Sequence, residues 1–445
     1  MYDQFYANRS PVKPAPRAQL LGFWMCVALV VGNSIGSGVF MLPASLAAYG
    51  LNSLLAWIFT AAGAIFLALL FAQLSRAHPH AGGPYAYTRL AFGPFPAFIV
   101  AWGYWISIWV GNAAIATGAV SYLTPLFPRL GTSSTLSASV TLAALWSLTF
   151  VNWHGIRASG WVTSVTTVLK LMPLFVIAAV GLLSIGEASH SPLTRLPLSV
   201  SGTTAAATLT LWAVLGIESA TIPADKVRDP SRTIPRATLV GAILTAGVCM
   251  LACSTVLLLV PSATLSQSDA PFVELIQQIW GSGAGKILAM FVAISAFGCL
   301  NGWILLSGEL PAAMARTGVF PAIFARESRR GTPEFGLFFG SALVTALILM
   351  NFQKSLANIF TFMILLSTTA CLVMYAVCSL ALLRLVWTKQ MGAATMRTVP
   401  LALVGALAAA YSLWAIVGAG ADAVLWGCVL LACGAPVYYL VRRKL

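Results

Sequence analysis

Long apolar stretches alternate along the chain with short polar or basic ones. Crossing about 30 Å of hydrocarbon takes about 20 residues of helix. Twelve stretches are of that order: 20–46, 53–74, 94–122, 135–153, 159–184, 203–222, 234–260, 284–310, 335–352, 357–383, 399–418 and 422–441. The pattern predicts an all-α polytopic membrane protein with about 12 transmembrane helices. Residues 1–18 are polar, contain Pro11, Pro14 and Pro16, and show no cleavage-site pattern. They read as a short cytoplasmic tail ahead of a single membrane domain, 19–445.

Composition narrows the class. Hydrophobic types make up 59% of the 445 residues and charged types 8%, against about 25% charged in soluble domains. An ordinary cytosolic enzyme, a secreted disulfide scaffold and a disordered chain are all excluded. The formal charge of +14 points to loop asymmetry and not to nucleic acid, because cytoplasmic loops of membrane proteins collect Lys and Arg. With the N-terminus inside, 20 of the 25 basic residues fall on the inner side and 3 on the outer, while Lys170 and Lys286 lie within spans. That split predicts a multi-pass protein of the cell inner (plasma) membrane with both termini cytoplasmic and loops 123–134 and 261–283 outside. The eight cysteines lie in or beside apolar runs without CxxC spacing and read as buried small hydrophobes. The four histidines are scattered; no metal or cofactor site is legible.

Two spans are interrupted. Span one contains Gly32-Asn33-Ser34-Ile35-Gly36-Ser37-Gly38 and then Pro43, too rich in glycine for continuous helix. Unwound backbone survives in a membrane only where protein buries it or it lines a cavity. The N–H groups it frees at a half-helix start suit a carboxylate; a glycine-rich helix contact with no ligand is the alternative. Span six carries Leu215-Gly216-Ile217-Glu218, with an acidic residue deep in the membrane, where ionisable groups are costly and usually functional. These are the first spans of two five-span halves, about 20–184 and 203–383, followed by two further helices, about 399–441. Five is odd, so the second half enters from the opposite side. Paired broken helices in inverted halves are the mark of a secondary transporter with its site at the midplane.

The segments GNSIGSGVFMLPASLAAYG (32–50), HAGGPYAYTRLAFGP (80–94), WVGNAAI (109–115), LWAVLGIESATIPADKVRDPSRTIPRA (211–237) and NGWILLSGELPAAMARTGVFPAIFAR (301–326) together resemble the amino acid–polyamine–organocation superfamily. The combination of Trp212, Glu218 and Trp303 is more specific to its basic amino acid/polyamine antiporter branch, whose members include bacterial arginine/agmatine antiporters. The resemblance implies a LeuT-like five-plus-five inverted repeat with broken helices one and six, usually a homodimer in the bilayer. It also implies that Asn33, Ile35, Ser37 and Gly38 hold the substrate carboxylate and amine. On span six, Trp212 would act as a gate, with the backbone near Leu215 and Gly216 at the site. Trp303 would stack on a cationic side chain, a contact worth about 2 kcal/mol when desolvated. Tyr104, Ser107, Ile108, Asn112 and Ile115 of span three would line the distal pocket, Asn112 offering a carbonyl acceptor. Glu218 would carry a proton in coupling or gating.

Three features depart from that branch. Ile108 and Ile115 make the distal pocket more aliphatic, span ten shows no clear counterpart of a pocket-lining serine, and Lys170 sits mid-span in VTTVLKLMPLFV. In other superfamily members a lysine at this place replaces a sodium ion between spans one and eight. Lys170 is therefore expected to bridge spans five, one and eight through span-one carbonyls or hydroxyls such as Ser295 and Ser307, with a role in proton coupling. The leading expectation is exchange of a basic amino acid, arginine first, for its decarboxylated amine. The alternative is a proton-coupled permease or exporter for neutral or branched amino acids, which Lys170 and the two isoleucines favour. An enzyme would need a nucleophile–base pair or metal cluster, and a channel a ring of repeated pore-lining groups; neither is visible.

Overall fold

A computed structural model describes residues 21–79, 82–154, 156–183, 197–222, 224, 227–328, 331–351, 356–392 and 398–442. The N-terminal tail read from the sequence lies outside the described residues. Within them the chain is helical, with a lone bridge between Leu21 and Val227 as the only β pairing.

Among the described residues, eleven helices are long and apolar enough to cross a membrane. The remaining sequence-predicted span, span six, is shorter: Val200–Leu211 is α-helical, Trp212–Val214 forms one 3-10 turn, and the backbone then opens at Leu215 and Gly216. Twelve α-helical residues reach about 18 Å at 1.5 Å each, so span six completes its passage as irregular backbone, with a second 3-10 turn at Ser219–Thr221. Gly216 adopts φ +104°, a conformation costly for residues with a Cβ.

Span one is likewise two helices, Phe23–Ser34 and Ser37–Leu46, separated at Ile35 and Gly36, both extended. Its irregular turn is fully enclosed: residues 30–44 are buried without exception, which is the condition for open backbone at membrane depth. Spans two (Leu51–Ala77), three (Pro94–Ser121), four (Ser134–Trp153), five (Ile156–Leu183) and seven (Pro230–Leu259) are continuous. Prolines 94, 230 and 271 stand at helix starts, where the missing N–H costs nothing.

Span eight differs from its expected bounds. The helix runs Pro271–Arg316, with a kink at Gly281 (φ +81°), so much of the segment taken as an outer loop, 261–283, is helical. The polar residues Glu274, Gln277 and Gln278 give this piece too little apolar character to count as membrane span, yet nothing in it opposes helix. Spans nine (Glu334–Asn351), ten (Leu356–Trp387), eleven (Thr398–Gly418) and twelve (Ala421–Ala432 continuing as Gly434–Arg442) follow. A short helix, Pro84–Phe92, joins spans two and three. The Gly82 N–H donates to the Ile222 carbonyl at 3.1 Å, tying that connection to the end of span six.

Spans one, three, eight and ten are the most enclosed, whereas spans four and twelve are buried over 28% and 17% of their apolar windows. The middle of the molecule is therefore walled by the two broken spans together with three, eight and ten.

Candidate substrate site

The two breaks meet. A Cβ on Gly216 would stand 3.3 Å from the backbone and side chain of Asn33 and 3.2 Å from the Trp303 ring. Next to this junction lies a small cavity.

Nine of the residues expected at the site line it: Asn33 and Gly38 from span one, Tyr104, Ser107, Ile108 and Ile115 from span three, Trp212 and Leu215 from span six, and Trp303 from span eight. Positions 104, 108, 111 and 115 recur at the spacing of one helix face. Four expected residues do not reach the cavity. Ile35 is enclosed and contributes only its carbonyl, the Ser37 hydroxyl donates to the Ile115 carbonyl at 3.1 Å, and Gly216 sits behind Trp303. Asn112 is buried one position beyond the Gly111 stripe, about 100° around the helix, and its Oδ1 has no hydrogen-bond partner.

Span one presents opposite chemistry on the two sides of its break. The last carbonyls of the first half-helix have no intrahelical partner and are occupied by neighbours. Lys170 Nζ donates to Gly32 O at 2.6 Å and Ile35 O at 2.9 Å, and Trp303 Nε1 donates to Asn33 O at 2.9 Å. A fixed cation at a helix C-terminus is electrostatically favourable. Lys170 thus joins spans five and one through carbonyls; Ser295 Oγ has no hydrogen-bond partner and Ser307 Oγ donates within its own helix to Ile304 O, so the expected span-eight hydroxyls are not used. On the other side, the first N–H groups of Ser37–Leu46 open the second half-helix, a site suited to an anion.

Two glycines make room for Trp212. A Cβ on Gly38 would meet its Nε1 at 2.1 Å, and one on Gly111 would meet its Cη2 at 3.0 Å. The indole therefore lies between spans one and three at the end of the first half of span six. Trp303 is 8% exposed and is held at its nitrogen by span one, which leaves the ring as cavity wall.

Glu218 is fully buried and does not line the cavity. Its Oε2 accepts from the Tyr375 hydroxyl at 2.6 Å. Tyr104 does line the cavity; its hydroxyl and Glu218 Oε1 are both buried without a hydrogen-bond partner.

Sequence reasoning missed span ten. Ser367 and Cys371 line the cavity, correcting the view that this span lacks a pocket serine. Ser367 Oγ donates to Ser107 O at 2.7 Å and lies 3.0 Å from Ser107 Oγ. Residues 367, 371 and 375 are spaced by four, so one face of span ten runs from the cavity to Glu218. The polar run Ser367-Thr368-Thr369 inside an apolar span was the available signal. Cys299 also lines the cavity, and Cys428 and Cys433 are exposed, so the cysteines are not uniformly core. Among the described residues no group of three or more His, Cys, Asp or Glu could hold a metal.

Beyond the cavity, spans one, three and eight are tied together by Tyr122, Phe40 and Phe272. The Tyr122 hydroxyl donates to Phe40 O at 2.7 Å and receives the Phe272 N–H at 3.3 Å. Phe40 and Phe272 meet edge to face at 5.2 Å.

The chain has relatives along its whole length. It is 32% identical over 462 residues to a protein provisionally named arginine/ornithine antiporter from Bacillus subtilis, covering 95% of this chain and 97% of the relative. It is 30% identical to the putrescine transporter PotE of Haemophilus influenzae, covering 96% and 98%, and 34% identical to the cadaverine/lysine antiporter of Escherichia coli K12 over 75% of each. The amino acid permease family matches residues 21–438. The chain is an all-α, multi-pass membrane transporter and not an enzyme: it belongs to the amino acid permease family, in the basic amino acid/polyamine antiporter branch of its superfamily.

Proposed function

We propose that the protein is an antiporter that takes in a basic amino acid, arginine first, and releases its decarboxylated amine, as agmatine is to arginine. The observation that carries this reading is the pairing of the two breaks around one cavity, with a helix N-terminus for a carboxylate and the Trp303 ring as a wall for a cation. The three relatives carry names with arginine, ornithine, lysine, cadaverine and putrescine, which supports basic substrates. Ser107 and Ser367 offer neutral oxygens to the distal group. Exchange of a monovalent amino acid for a divalent amine would export charge, worth about 2.3 kcal/mol per charge at 100 mV.

We place the protein in the cell inner membrane with both termini cytoplasmic, on the basic-residue asymmetry, as a homodimer built from two inverted repeats, about 20–184 and 203–383. Glu218 and Lys170 are the proposed proton-coupling groups, and any ion requirement is met by protons and not sodium. A second reading, a proton-coupled permease or exporter for neutral or branched amino acids, is favoured by one observation: among the described residues no acidic side chain lines the cavity, and its distal wall carries Ile108 and Ile115.

Counterflow in proteoliposomes with a panel of labelled amino acids and amines separates the two. Trans-stimulation of arginine uptake by internal agmatine, or of lysine or ornithine uptake by the matching decarboxylated diamine, is the expected result. Uptake of valine or leucine driven by a proton gradient, with no response to internal amine, would give the site to the second reading.

A further inference from the structure

We propose that a groove on the membrane face of the protein holds one acyl chain of a bilayer phospholipid, in the leaflet where span six begins. The groove lies where span two (Leu55, Phe59), the start of span six (Leu198 to Thr204) and span eleven (Tyr411, Trp414) meet, and it opens to the outside of the bundle. It is separate from the substrate cavity and shares no lining residue with it.

Its chemistry selects hydrocarbon. The polar groups around it already have partners within the protein. Trp414 Nε1 donates to Thr204 Oγ1 at 2.9 Å, Ser199 N and Thr203 Oγ1 both donate to Asn52 Oδ1, at 2.9 and 3.0 Å, and Ser199 Oγ accepts from Gly202 N at 3.0 Å. An amine entering the groove would lose water without finding a free carboxylate, and the groove's side-chain polar groups are already engaged with one another. What the walls offer instead is carbon and aromatic surface, with Phe59 and Trp414 edge to face at 5.7 Å.

Its position selects lipid. The mouth is formed by side chains that face out of the bundle, Phe59 at 50%, Leu198 at 60% and Val200 at 83% exposure. The groove is thus continuous with the surface that this membrane protein turns to acyl chains. Interiors and interfaces gain dispersion energy only where atoms touch, and an unfilled hollow forfeits it. The groove also has a rigid floor. A Cβ on Gly418 would stand 2.3 Å from the Thr204 carbonyl, and Thr208 Oγ1 donates to Ala415 O at 2.7 Å, so spans six and eleven touch backbone to backbone beneath it.

The site bears on transport because one of its walls is the half-helix Val200–Leu211, and Trp212 is the next residue. A chain seated in the groove packs against the element that carries the indole over the cavity. This inference does not rest on which substrate is carried.

The test uses the full-length protein in phosphatidylethanolamine/phosphatidylglycerol vesicles doped with a phospholipid bearing a diazirine midway along one acyl chain. After photolysis, adducts are mapped by peptide mass spectrometry. Adducts at 55–59, 198–204 and 411–414 should exceed those on the exposed face of span twelve, Leu425 and Trp426, several-fold. Leu55→Trp, which fills the groove, should lower the groove adducts several-fold and leave those on span twelve unchanged. Equal labelling of both faces overturns the proposal. So does an unlabelled groove that cross-links to a second copy of the chain, which would assign it to a protein contact. If Leu55→Trp does not fold, the wild-type adduct map decides alone.

Discussion

The Lys170 ammonium donates to the Gly32 carbonyl at 2.6 Å, from the middle of span five to the broken end of span one. Its second bond, to Ile35 O, spans the break itself. Lys170→Ala strips both carbonyls of their partner in a buried place, at about 1–3 kcal/mol for each unsatisfied group. We expect a lower unfolding temperature in detergent, slower net flux and measurable substrate binding. Wild-type flux should be the same with choline replacing sodium; a sodium requirement contradicts the role given to Lys170.

Trp303 serves the site in two ways, as a ring facing the cavity and as a donor to Asn33 O. Trp303→Phe keeps a ring and loses the hydrogen bond, a loss of about 0.5–1.5 kcal/mol. Trp303→Leu also removes any cation contact, for a total of about 2–3 kcal/mol with a cationic substrate. Calorimetric affinities for arginine should fall in the order wild type, Phe, Leu. Equal values for Phe and Leu would mean that the ring carries no cation contact.

The space for Trp212 is set by glycine. Gly38→Ala places a methyl where the indole nitrogen now stands, at 2.1 Å, whereas at Gly111 the clash is 3.0 Å. Gly38→Ala should abolish transport with normal membrane insertion, and Gly111→Ala should reduce it partially. The measurement is initial uptake normalised to protein in the membrane. Wild-type uptake by Gly38→Ala would show that the indole has another resting place.

Glu218 lies between Tyr375 and Tyr104, with Tyr375 donating to it. Glu218→Gln keeps an acceptor for Tyr375 and removes the titration, so the pH profile of transport should flatten while the fold is retained. Glu218→Ala should flatten it as well and lower stability. A wild-type pH profile in Glu218→Gln would remove this carboxylate from the coupling.

Asp269 provides a pH effect outside the spans. Its carboxyl is partly buried, and desolvation raises it above the ordinary carboxylate range. The folded protein therefore holds this proton more tightly than the unfolded chain. Its contribution is most favourable below the ordinary carboxylate range and is lost as pH rises through the raised value. Asp269→Asn should remove that part of the fall in thermal stability that sets in as pH rises above the ordinary carboxylate value. An unchanged slope would mean that water reaches the carboxyl.

Span number and the two breaks could be read from the chain because their signals are local. Gly32 to Gly38 breaks a helix by its own propensity, whereas Tyr104, Ile108 and Ile115 are expected at the site from the family resemblance and not from any local signal of their own. Ser37 and Asn112 do not line the cavity, because only the packed rotation of each helix decides whether a side chain faces it, and no local signal carries that. Ser367 was overlooked for the converse reason: its segment has no glycine or charge to draw attention, and its role depends on span ten lying along span three. The outer part of span eight was taken for loop because polarity was read as absence of helix, although Pro271 is a good first helical residue and Gly281 ends that piece.

With the carbonyls of Gly32, Asn33 and Ile35 already engaged, the acceptors that span one leaves to an incoming molecule are on side chains, the unpartnered Asn33 Oδ1 and Ser34 Oγ. An amino acid can use the helix N-terminus through its carboxylate in addition to these; an amine that has lost its carboxylate has only these. In an exchange cycle the two partners would then differ in residence time as well as in charge. The decarboxylated form would leave the cavity sooner, so unloading would be quicker for the waste product than for the nutrient, a kinetic bias built into backbone chemistry and independent of which side chain the substrate bears.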